Sequence, residues 1–204
     1  MKSTTGPRIV ISVRPVEGLS HMGSESTVSP VLANLAIAAV FVSLLALTFA
    51  ELPAAGALRA FLYDHGQHVM LVVAAVATGS SLYYSEVVGF APCEFCWFQR
   101  IMMYPLAVLL ITAAVTRSHI GSQFVFVLAL IGLGLSIYHY QLQLFPSQGQ
   151  VCTGSEVPCS GKYVNEFGFV TIPFMAGCGF LTILILQLSQ WRVGSLYRRW
   201  SANE

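Results

Sequence analysis

Apolar residues in this chain come in five long blocks separated by short polar connections. The blocks run over roughly 30–52, 66–88, 97–115, 124–145 and 169–187. Each approaches the ~20 residues that carry a helix across a hydrocarbon layer. Glycines and serines interrupt the second block, as happens where helices pack closely in lipid. Open sheet edges cannot face hydrocarbon, so the pattern predicts an all-α membrane protein. Residues 1–29, rich in Ser, Gly, Pro and scattered charge, read as an unstructured tail, and Met22 offers a second possible start. Residues 189–204 read as a basic tail after the last block.

Composition agrees with that solvent. Of 204 residues, 55% are hydrophobic and 9% charged, too few charges to cover a soluble domain of this size. The net charge of +1 and the absence of a basic run before the C-terminal cluster give no nucleic-acid signal.

Lys and Arg near helix ends orient the bundle. Arg117 lies in the short connection between the third and fourth blocks, and Arg192, Arg198 and Arg199 follow the fifth. The opposite side carries Lys162 against Glu86, Glu94, Glu156 and Glu166. The basic ends are therefore expected in the cytoplasm and the loop cysteines outside, where disulfides persist. The first block fits less simply. If it spans, the N-terminus lies outside although Lys2, Arg8 and Arg14 favour the inside; the alternative is a signal sequence cut near Ala50. An uncleaved extra helix is the preferred reading.

Chemistry enters with cysteine. Cys93 and Cys96 form a C-x-x-C where the third block begins, a spacing suited to dithiol exchange because the thiols approach and a thiolate is readily stabilised. Cys152 and Cys159 lie in a Gly- and Pro-containing segment between the fourth and fifth blocks, exposed to a soluble partner if that segment is a loop. Taken alone they suit a structural disulfide. Two pairs on one membrane face also suit a relay through mixed disulfides. Four cysteines can bind zinc, although this spacing is atypical. Cys178, in the fifth block, reads as a packed apolar residue.

Arg100 is the costly residue. A guanidinium in an apolar segment costs about 2.5–3.5 kcal/mol on insertion scales and asks for a partner. It lies four residues after Cys96, so one helix face carries both. Arg100 and the helix N-terminus would both favour a thiolate at Cys96. Snorkelling to headgroups is the competing account.

Together, Cys93-Glu94-Phe95-Cys96-Trp97-Phe98-Gln99-Arg100, the stretch His139 to Pro146 and the stretch Tyr163 to Pro173 resemble the DsbB and BdbC family of quinone-dependent disulfide bond formation proteins. The resemblance covers 66–188 and implies a four-helix transmembrane core with two extracytoplasmic cysteine loops, which leaves block 30–52 as an extra N-terminal transmembrane helix. It implies a monomeric enzyme of the bacterial cytoplasmic membrane that supports protein folding by reoxidising a DsbA-like thioredoxin-fold oxidase. Electrons would enter at Cys152, pass from Cys159 to Cys93, and leave from Cys96 to a ubiquinone or menaquinone. Arg100, His139 and Gln143 would bind the quinone. The short Cys152 to Cys159 spacing looks closer to BdbC-like members and leaves open how Cys159 reaches Cys93.

Two other readings stay in view. Vitamin K epoxide reductase relatives share a helix bundle with a C-x-x-C, usually placed late in the chain. A four-cysteine metal-binding module would need near-stoichiometric zinc and protected thiols.

Overall fold

The computed structural model describes residues 22–50, 55–116, 118, 121–152 and 157–201. Five helices carry the fold: α1 (Met22–Phe49), α2 (Gly56–Leu82), α3 (Glu94–Thr116), α4 (Ser122–Leu144) and α5 (Ile172–Ser201). Each contains a stretch long and apolar enough to cross a membrane. A single isolated bridge pairs Glu166 with Val170, and no strand is present among the described residues.

Helix ends depart from the apolar blocks. α1 starts at Met22, so residues 22–29, expected to be unstructured, are helical, whereas residues 1–21 of that tail lie outside the described residues. α2 starts at Gly56, ahead of its apolar block, and α5 continues through the basic segment to Ser201. Hydropathy marks the part of a helix that suits lipid; polar turns at either end extend the same hydrogen-bond ladder beyond it.

The outside of the bundle is as apolar as the inside. Phe41, Val42, Val72, Val108, Phe124 and Ile137 are all exposed, which suits helices whose outer solvent is lipid. The interior, by contrast, holds polar groups. Gln99 on α3 donates to the Ser136 hydroxyl on α4 at 3.0 Å, and Ser136 donates to the Gly132 carbonyl at 2.8 Å. Such bonds tie helices together where hydrophobic burial offers little driving force.

α5 packs against α1, α2 and α4, and α3 packs between α2 and α4. α1 runs antiparallel to α2. At one end the Ser29 hydroxyl pairs with the Tyr84 hydroxyl at 3.0 Å, and at the other Arg59 Nε donates to the Ala50 carbonyl at 2.8 Å. Past Leu82, α2 widens into a π turn over Tyr83–Val87. Gly89 then takes a positive φ of 81°, which turns the chain toward the start of α3.

α4 and α5 fit tightly at Gly132, where an added Cβ would collide with the ring of the fully buried Phe180. A Gly132→Ala change is therefore expected to overpack the α4 and α5 interface by about 1–3 kcal/mol and to lower the thermal midpoint in detergent by roughly 5 °C. Gly134→Ala, which meets nothing within 4 Å, should leave the midpoint unchanged or raise it slightly.

Candidate active site

α3 begins at Glu94, directly after Cys93, and the Cys93 carbonyl accepts the first bond of the helix from the Trp97 amide at 3.2 Å. This start points the C-x-x-C along the first turn and brings Cys93 Sγ and Cys96 Sγ to 3.0 Å. The positive end of the helix dipole sits under both sulfurs and favours a thiolate there.

The two cysteines differ in what else they face. Cys93 is buried in a small cluster with Phe95, Leu142 and Cys159, with Cys96, Leu135, Cys152 and Val157 packed against it. His139 Nε2 on α4 lies 3.5 Å from Cys93 Sγ, and Phe95 covers the imidazole with ring centroids 5.7 Å apart. The Cys96 thiol, aided by His139, holds the Cys93 thiol well below the ordinary thiol range against the opposing effect of burial. The sequence places the favoured thiolate at Cys96, beside Arg100; the imidazole of His139 stands on the other sulfur, that of Cys93.

Cys152 and Cys159 form a disulfide, with Cα atoms 6.1 Å apart. Cys159 is 1% exposed and already packs in the cluster that holds Cys93, so the short loop does not have to travel as a unit to bring the pairs together. Tied in a disulfide, these two sulfurs cannot act as thiolate ligands, and the four-cysteine metal site is not assembled. One ring nitrogen of His139 and the sulfurs of Cys93 and Cys96 do lie within 4.8 Å of one another. Cys178 is half-buried on α5 and stands outside the cysteine cluster.

Cys96 and Arg100 line a cavity of about 300 Å³ between α1, α2, α3 and α5. Cys93 does not line it. Arg100 finds its partner on α2: Nε donates to the Ser81 hydroxyl at 2.9 Å and Nη2 to the Ser81 carbonyl at 3.0 Å. Its guanidinium also lies 5.2 Å from the centre of the Trp97 ring. Nη1 has no hydrogen-bond partner among the described residues. At the cysteine end the cavity is closed by stacked rings of Tyr84, Phe90 and Tyr163, and the Tyr163 hydroxyl donates to the Ala91 carbonyl at 3.1 Å.

His139 and Gln143, expected near a quinone together with Arg100, do not line this cavity. His139 is 1% exposed and pairs with Cys93, and Gln143 donates to the Gly161 carbonyl at 3.0 Å, where it braces the segment that carries Cys159. Neither lines the cavity beside Arg100, because the inward face of α4 turns toward Cys93 and the loop. Ser81 was read from sequence only as a packing residue. The signal that marked it was a hydroxyl inside an apolar block, with an unpaired arginine in the next.

The family model for the disulfide bond formation protein DsbB matches residues 64–194. The chain belongs to the DsbB family. It is similar to the disulfide bond formation protein C of Bacillus subtilis, 47% identical over 116 residues, covering 56% of this chain and 83% of the relative. A protein named "Probable disulfide formation protein" from Oceanobacillus iheyensis is also 47% identical, over 120 residues that cover 57% of this chain and 82% of the relative. No solved structure matches. Membership makes this multi-pass membrane protein a disulfide oxidoreductase of a disulfide-generating family.

The Cys93 environment makes a prediction about pH. Because its thiol is depressed to about 4 in the reduced pair, thiolate absorbance at 240 nm should persist as pH falls through 7 and be lost on descending through about pH 4. Cys96→Ala removes the largest cause, so the signal should then be lost on descending through about pH 8.5. His139→Phe should produce a smaller upward displacement of the same transition.

Proposed function

We propose that this protein reoxidises a DsbA-like thioredoxin-fold oxidase and passes the electrons through its two cysteine pairs to a membrane quinone. The observation that carries the reading is the division of the C-x-x-C: Cys93 packs with Cys159, whereas Cys96 opens with Arg100 onto an apolar cavity. In this reading the cysteine end faces the outside of a bacterial cytoplasmic membrane and the Arg117 connection faces inward. The protein works as a monomer.

The cavity residues fit a quinone. Walls of Val, Leu, Ala and Met suit a flat apolar ring, a volume of about 300 Å³ lies at the lower edge of the range for small-molecule sites, and Arg100 supplies a cationic donor for a ring oxygen. Ser81 fixes the direction of that donor. When bound, a ubiquinone or menaquinone supplies the acceptor for two electrons and two protons.

The chain's own residues do the rest. A thiolate of the partner attacks Cys152, breaks the Cys152–Cys159 bond and forms a mixed disulfide with Cys152; the partner's second thiol resolves it and leaves as the partner's disulfide. Cys159 then attacks Cys93 of the oxidised C-x-x-C and releases Cys96, and Cys152 attacks Cys159 to restore the loop disulfide and free Cys93. The loop disulfide beside a close Cys93 and Cys96 dithiol is the arrangement expected at the end of this exchange. His139 holds the Cys93 proton or returns it, and Cys96 faces the cavity through which both electrons leave.

The test is turnover of purified protein with a reduced thioredoxin-fold partner and a soluble quinone analogue. Arg100→Ala should raise the quinone KM about 10- to 100-fold, the worth of a hydrogen bond to a charged group, while the cysteine pairs still exchange. Arg100→Lys should recover part of the loss. Replacing any one of Cys93, Cys96, Cys152 or Cys159 by Ala should abolish turnover, and two such variants that still turn over would end the relay reading. An unchanged quinone KM in Arg100→Ala would make Arg100 a snorkelling residue.

A further inference from the structure

α1 lies wholly outside the residues matched by the family model, 64–194, yet it supplies a wall of the cavity that holds Cys96 and Arg100. Leu32, Ala36 and Ala39 face the cavity from α1, opposite Val73, Ala77 and Ser81 of α2. The two clasps fix the register. Ser29 meets Tyr84 and Ala50 meets Arg59, so the chain descends α1 as it runs back along α2, 21 residues on one side against 25 on the other. Near the first clasp Leu32 therefore lies close to the level of Ser81 and Arg100, and Ala36 and Ala39 lie one to two turns deeper, across the cavity from Ala77 and Val73.

The cavity follows that register. On α2 its lining runs from Ser85 back to Val72, a rise of about 20 Å along the helix, while its reactive groups, Cys96 and Arg100, face the upper part. The lower part is bounded by aliphatic side chains and by Met103 and Phe180, with no charged group among the residues that line it. Such a lining matches an apolar chain attached to a ring rather than the ring itself.

Resting on the quinone reading above, we infer that α1 is a substrate-binding helix: Leu32 packs against the quinone ring, and Ala36 and Ala39 form the seat of its first isoprenoid units. Small side chains at 36 and 39 keep the lower channel open between α1, α2 and α5. The buried bond between Ser29 and Tyr84 positions α1 at the level of the ring. The helix thereby makes a prenylated quinone a better ligand than a tail-less one.

The experiment measures binding to the full-length protein by quenching of intrinsic fluorescence, with a tail-less benzoquinone and the same ring carrying two isoprene units as probes. Ala36→Phe should weaken binding of the prenylated probe about tenfold and of the tail-less probe less than about twofold. Ala38→Phe, the same change on the exposed side of α1, should alter neither. Photolabelling of the unmodified protein with an azido group on the prenyl chain reads the same contact without a substitution, and label is expected within residues 32–39. Label confined to α2, α3 and α5, or equal loss for both probes in Ala36→Phe, would overturn the role of α1 while leaving the quinone reading intact. Failure of both probes to bind, with no label anywhere, would remove both readings.

Discussion

The pairing of Arg100 with Ser81 is the interaction on which the arrangement depends. An arginine inside an apolar bundle costs about 2.5–3.5 kcal/mol unless it is met by hydrogen-bonding groups, and here a hydroxyl and a carbonyl of a single residue on α2 meet it. That pair of hydrogen bonds draws α2 against the first turns of α3, near the C-x-x-C. It also aims the guanidinium along the cavity wall rather than out to lipid. With Arg100 so held, Cys96, one turn earlier on α3, has to face the same cavity.

From this follows the division of labour between the two sulfurs. They are 3.0 Å apart, but Cys93 sits in a closed cluster with Cys159 and His139, and Cys96 sits at the edge of an apolar chamber. A dithiol in one environment would have no direction. Here Cys93, its thiol lowered by Cys96 and His139, shares the cluster of the loop disulfide, and Cys96 lines the cavity with Arg100. Stacked rings of Tyr84, Phe90 and Tyr163 line the cavity at its cysteine end.

Much of this was legible in the chain itself, and the reason is lipid. Hydropathy over five blocks located five helices, and the spacing of Cys96 and Arg100 put both on one face before any coordinates. Contacts across helices were not legible. Ser81 is 19 residues from Arg100 and reads alone as a packing serine; its role appears only when α2 and α3 are set side by side. His139 and Gln143 were assigned to the chamber of Arg100, but the rotation of α4 about its axis, which sequence does not encode locally, turns His139 to Cys93 and Gln143 to the loop. α1 reads as an added span with no stated role, because a stripe of Leu and Ala cannot disclose which cavity it closes.

The central claim is that Cys93 and Cys96 deliver electrons to a quinone while the loop pair remains a disulfide. Thiol-specific mass tagging of all five cysteines, before and after a soluble quinone analogue is added to the form with a reduced C-x-x-C, tests it most directly. The account predicts that Cys93 and Cys96 lose both tags on quinone addition, with Cys152 and Cys159 untagged throughout and Cys178 unchanged. Cys93 and Cys96 that stay fully tagged in the presence of quinone would contradict it.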